Sequence, residues 1–188
     1  MLRKIETYEG ALTTRLALRL MALTFVRTSE LIGARWQEFD LTTAEWRTPA
    51  ERMKMKTPHI VPLATHAIET LGQLQSITGS RELLFPGERD HQKPMSNTIL
   101  YTLYRMGYHS RMTRHGFRGL ASTILHEQGF RHNHIELQLA HQERDETSAA
   151  YNHALHLKDR REMMQQWADY LDKLKAGADV ILLHRNTV

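Results

Sequence analysis

The chain has 188 residues, 41% hydrophobic and 24% charged, with 25 Lys and Arg against 21 Asp and Glu, a formal net charge of +4 and a pI near 9.5. That length builds one well-cored domain and is short for two, and the modest basic excess accommodates a nucleic-acid partner without requiring one. The absence of cysteine excludes a disulfide scaffold and a cysteine-ligated zinc centre and fits a reducing cytosol; no apolar run approaches the roughly 20 residues that span a bilayer, and MLRKIETYEG lacks a signal-peptide core.

Taken in chain order, apolar residues at helical spacing (Leu16, Leu20, Leu23) predict a helix from about Thr13 to Val26. A second helix is expected to start at Thr28 and Ser29, whose hydroxyls suit free amides, and to run through LIGARWQEFD. The stretch EWRTPAERMKMKTPHIVPL holds Pro49, Pro58 and Pro62 and two extended runs, Glu45 to Thr48 and His59 to Leu63, which read as a small hairpin. Helical spacing returns from Thr65 to Thr78, with Ile68, Leu71, Leu74 and Ile77 on one face and Gly79 as terminator. After the short extended piece LLFPG, Ser96 can cap a helix with Ile99, Leu103 and Met106 turned inward. Further helices are expected over His115 to Gln128, Asn133 to Ala140, and Leu155 to Leu174, the last docking Leu157, Met164, Trp167, Tyr170 and Leu171. DVILLHRNTV, after Gly177, reads as a short strand in need of an edge. The fold class is mainly α with a small antiparallel β-hairpin, expected as one domain over residues 1–177 with a tail strand at 178–188.

Several side chains suggest chemistry, and each alone has a plainer reading. Arg27 precedes a helix start and can bind two phosphate oxygens at once, with Glu30 three residues on to orient it or cap the helix; equally it is a surface arginine beside a capping sequence. His115 and Arg118 share a helix face at i, i+3, a pairing that also arises by chance on solvated helices. His141 follows a short apolar helix, and Tyr151 sits between alanines and an asparagine in AAYNHA, a setting typical of half-packed core. Lys54 and Lys56 lie in the hairpin turn, where a lysine can protonate a leaving oxygen or merely touch phosphate. Tyrosine is a poor nucleophile unless cations stabilise the phenolate and the charge growing on its target, and a phosphodiester is the target that most needs several fixed cations. The histidines of HNH (His132 to His134) lack HExxH spacing, so no metal site is assigned, and Met163 and Met164 are read as core filler.

The ordered set Arg27, Lys54, His115-x-x-Arg118, His141 and Tyr151, within RTSELIGARWQEFDL, ERMKMKTPHIVPL, TRHGFRGLASTIL, IELQLAHQERDETSAAYNHA and MMQQWADYLD, resembles the catalytic domain of the tyrosine recombinases, the phage integrase family, and most closely integrases of satellite phages and genomic islands. The resemblance runs from about Thr13 to Gly177. It implies that Arg27 and Arg118 bind the phosphate, that His115 and His141 assist, that Tyr151 is the nucleophile, that Lys54 rather than Lys56 is the general acid, and that Glu30 buttresses Arg27. Lys56 and Arg114 become DNA contacts. The implied function is integration or excision of a mobile element through a 3′-phosphotyrosyl intermediate, with no metal or other cofactor. Its partners are double-stranded attachment sites and further protomers in a tetrameric synapse, in the bacterial cytoplasm on the nucleoid and with no membrane partner. Relatives carry DNA-binding domains ahead of the catalytic one, and those are expected to be absent from this chain. A topoisomerase-like strand transferase of type IB, a non-catalytic DNA-binding regulator of the same fold and a metal-dependent nuclease remain as alternative functions.

Overall fold

Helix α2 (Leu12–Thr24) is apolar on nearly every side: Leu16, Ala17, Leu18, Leu20, Met21, Ala22, Leu23 and Thr24 are all buried. A helix of that character must be covered all round, and α1 (Leu2–Glu6), α3 (Thr28–Ile32), α4 (Thr65–Thr78), α5 (Ile99–Leu103) and α8 (Leu157–Ala176) cover it. The structure is a computed structural model that describes residues 1–54, 56–96, 99–108, 116–141 and 156–177. Helices α6 (Gly116–Glu127) and α7 (His132–Gln138) complete the described helical set, α6 packing on α7 and α8. The expected tail strand at 178–188 lies outside the described residues.

The second expected helix is much shorter than its sequence suggests. It stops at Ile32, followed by Gly33, because the chain then pairs elsewhere: Arg35 bridges Leu83, Trp36 N–H donates to Glu82 O at 3.0 Å, and Leu84 N–H donates to Ala34 O at 2.8 Å. A 3-10 turn (Trp36–Glu38) leads into a strand the sequence reading did not anticipate, β1 (Phe39–Asp40). With β2 (Glu45–Thr48) and β3 (His59–Pro62) it forms an antiparallel meander in the order β1-β2-β3, with Trp46 opposite both Phe39 and Val61. The fully buried Trp46 is what draws β1 in. Its ring stacks on Phe39 at 5.0 Å, and its indole N–H donates to Glu38 Oε2 at 2.9 Å.

The expected hairpin strands and the span of α4 match the structure, but the buried face of α4 is turned. Ala67, Thr70, Leu71, Leu74 and Thr78 face inward, while Ile77 is 40% exposed. Threonines can take the inner positions because each hydroxyl donates back to the helix, Thr70 to His66 O at 2.7 Å and Thr78 to Leu74 O at 3.3 Å. In α5, Ile99 and Leu103 are buried as expected, but the helix gives way to a wider turn over Tyr104–Tyr108, where Gly107 takes φ +89°. Met163, Met164, Trp167 and Leu171 of α8 enter the core, whereas Leu157 and Tyr170 stay half-buried. The buried charge on that helix is Arg160, which donates to Ile60 O on β3 at 2.6 Å and to Gln138 Oε1 on α7 at 2.7 Å.

The turned face of α4 has a direct check. Leu74→Ala should cost about 2–5 kcal/mol, as for a filled core position, whereas Ile77→Ala should stay within about 0.5 kcal/mol. Urea unfolding at unchanged m-value reads both; equal losses would place Ile77 in the core after all.

Candidate active site

Two helices end beside one another in backbone that non-glycine residues rarely adopt. Phe25, after α2, has φ +40°, and Ala140, after α7, has φ +48°. These sharp ends leave carbonyls unpaired within their own helices, and two arginines use them. Arg118, near the start of α6, donates from Nη1 to Phe25 O at 3.1 Å and from Nη2 to Leu139 O at 2.5 Å. Arg27, just before α3, donates from Nη2 to Ala140 O at 3.2 Å.

Glu30 fixes the second arginine. Its carboxylate is buried, accepting the Arg27 backbone N–H at 2.9 Å through Oε2 and Arg27 Nη1 at 2.7 Å through Oε1. The cap of α3 is thus a carboxylate closing on Arg27, not the hydroxyl of Thr28 or Ser29. The two contacts to Glu30 Oε1 and Ala140 O use two of the five donors that a guanidinium carries. Arg52, from the 3-10 turn Ala50–Arg52 between β2 and β3, holds the same region from behind. It donates to Glu30 O at 2.6 Å and to Gly33 O, and lies 3.1 Å from Glu38 Oε1.

His141 joins the arginines from the other side. With Glu136 ionised, Nδ1–H donates to Glu136 Oε2 at 2.8 Å, and Nε2 faces Arg118 Nη2 at 3.3 Å. Arg118 is 7% exposed, and burial first, then the charge of Arg27, lowers its pKa to about 10. It therefore remains charged at neutral pH beside a second cation. An anion placed between them relieves a repulsion already built into the fold.

Lys54 is exposed in the connection between β2 and β3, and Lys56, at φ +57°, donates to Glu51 O at 3.4 Å. Arg27, Glu30, Arg118 and His141 are brought together. Arg114, His115 and Tyr151 lie outside the described residues. Glu136 and Arg52 were not anticipated, nor were the carbonyls of Phe25, Leu139 and Ala140. Glu136 stands five residues before His141, a spacing that does not share a face on an unbroken helix; the break after α7 brings the two together.

The profile of the phage integrase family matches residues 1–158. The integrase of Enterobacteria phage P4 is 45% identical over 203 residues, taking in 99% of this chain and 46% of that protein. Prophage integrase IntA of Escherichia coli (strain K12) is 36% identical over 189 residues, 100% of this chain and 46% of its own length. The chain spans about half the length of the curated relatives it matches. Among solved structures, an integrase from mycobacterium phage Brujita superposes with a TM-score of 0.68 at 22% identity, covering 87% of this chain and 54% of the other. XerA recombinase does so at 0.61 and 17%, covering 95% and 62%.

Sulfate or phosphate should occupy the gap between the arginines and raise Tm, by the equivalent of about 2.7 kcal/mol at a hundred times Kd. Arg27→Ala should lose that dependence while Arg161→Ala, whose partner is Glu45, retains it. A wild-type Tm indifferent to the anion would show that the pair binds no phosphate-like group.

Proposed function

The chain belongs to the phage integrase family, and from that premise we propose that it is the catalytic part of a tyrosine site-specific recombinase that breaks and rejoins duplex DNA to integrate or excise a mobile element. The observation that carries the reading is the convergence of Arg27, Arg118 and His141 on one point, with Glu30 and Glu136 behind them. Three fixed donors around one position suit the equatorial oxygens of a phosphorane, where charge accumulates during displacement at phosphorus.

In the proposed step Tyr151, having lost its phenolic proton, attacks the scissile phosphorus. A tyrosyl O–P bond forms as the bond to the 5′ oxygen breaks, leaving a 3′-phosphotyrosine and a free 5′-hydroxyl. Lys54, exposed and on the hairpin connection, gives the proton that the departing 5′ oxygen takes up. Rejoining reverses these transfers: a 5′-hydroxyl attacks the phosphotyrosine and the phenolate leaves. The energy of the broken phosphodiester is kept in the covalent intermediate, so the exchange consumes no nucleoside triphosphate. His115 supplies a further donor, and Arg114 and Lys56 contact the DNA backbone. Recombination engages four protomers on two attachment sites, in the bacterial cytoplasm on the nucleoid. No helix among the described residues is long and apolar enough to cross a membrane.

Incubated with a nicked suicide duplex carrying its attachment site, the protein should form an adduct that survives denaturant, and Tyr151→Phe should bind the duplex yet form none; an undiminished adduct would overturn the nucleophile. Lys54→Ala should slow cleavage by about 10²–10⁴-fold, the usual range for a general acid, and a 5′-phosphorothiolate substrate should restore it. Rescue seen only for Lys56→Ala would move the acid two residues along the hairpin.

A further inference from the structure

Away from the arginines, two helices bring three metal-ligating side chains to one place. His134 lies in the first turn of α7, His156 directly precedes α8, and Asp159 is in the first turn of α8. His134 Nε2 is 3.2 Å from His156 Nδ1 and 3.7 Å from Asp159 Oδ2, and the three donor atoms all lie within 4.8 Å of one another. A tetrahedral ion with bonds of about 2.0–2.1 Å holds its donors about 3.3 Å apart, which is close to the spacing found here.

A hydrogen bond between the two rings explains only part of this. A proton shared by His134 Nε2 and His156 Nδ1 leaves Asp159 at 3.7 Å, beyond hydrogen-bond reach of the same nitrogen. A cation seated among the three engages them all. His134 is 4% exposed, so its ring is already fixed. Burial first, and then His156, lower its proton affinity, which keeps it in the neutral form that a metal requires. Arg131 and Arg160 also act on His134 and oppose a further positive charge, while Asp159 offsets them in part. Arg160 is committed to Ile60 O and Gln138 Oε1.

We propose that His134, His156 and Asp159 form a binding site for a divalent cation of the zinc class, with water completing the tetrahedron. Two imidazoles and a carboxylate suit zinc and cobalt better than the hard ions magnesium and calcium. The ion ties α7 to the entry of α8. Because His156 follows Tyr151 by five positions in the sequence, the site anchors the downstream end of the segment that carries the tyrosine. The inference stands apart from the recombinase reading, since metal binding is measured without DNA.

The test uses the untagged chain, stripped with chelator and titrated with Zn(II) by calorimetry and with Co(II) by visible absorption. One equivalent should bind, Co(II) should show the d–d bands of a four-coordinate ion, and Zn(II) should raise Tm. His156→Ala and Asp159→Asn, each checked for native circular dichroism, should each weaken binding at least tenfold. His126→Ala should not, although His126 Nε2 lies 3.0 Å from His132 Nδ1 in another close histidine pair. Absence of binding at 100 µM Zn(II), on the order of ordinary weak surface sites, overturns the proposal; so does binding that survives both His156→Ala and Asp159→Asn, or that His126→Ala abolishes.

Discussion

Helix ends that stop in left-handed backbone hold this molecule's charged centre together. The carbonyls of Phe25, Leu139 and Ala140 carry the partial negative charge of helix C-termini, and they receive Arg118 and Arg27 where water would otherwise do so. Like charges are thereby held close without a neutralising ion between them. The conformational cost of two non-glycine residues at positive φ, of order 1–3 kcal/mol each, is borne by the buried helices on either side. Loosening α2 or α7 would release both guanidiniums together.

The small sheet is part of the same construction. Trp46 draws in Phe39 and Glu38, Glu38 meets Arg52, and Arg52 binds the carbonyls of Glu30 and Gly33. Glu30 in turn orients Arg27. A chain of contacts thus runs from the core of the sheet to the anion-facing guanidinium. The hairpin that carries Lys54 takes its position from the groups that hold the phosphate-facing arginine.

Much of this was legible in the residue order and some was not. The span of α4, the two hairpin strands and the core methionines of α8 follow from periodicity and proline placement, which are local. The early end of α3 does not, because Gly33 stops a helix only in combination with pairing to residues near Leu83, far along the chain. The inward threonines of α4 were passed over because a hydroxyl counts as polar until its return bond to the helix is seen. At the site, Arg27, Glu30, Arg118 and His141 could be named from their order along the sequence. Glu136 could not, since its link to His141 depends on a backbone break. The metal-ligand set was hidden for a similar reason: His134 and His156 are separated by 22 positions, and the nearer HNH triplet offers the wrong partners.

Arg160 gives the arrangement a mechanical reading. One fully buried guanidinium grips the strand that returns from Lys54 and the helix that leads to His141, and it sits nine positions after Tyr151 on the helix that follows the tyrosine. The segments assigned to the proton donor, the anion cradle and the nucleophile therefore share one fixed pivot. Each can swing outward to admit a bulky duplex, and each swings about the same point, so their inner ends keep a common origin whatever path the outer ends take.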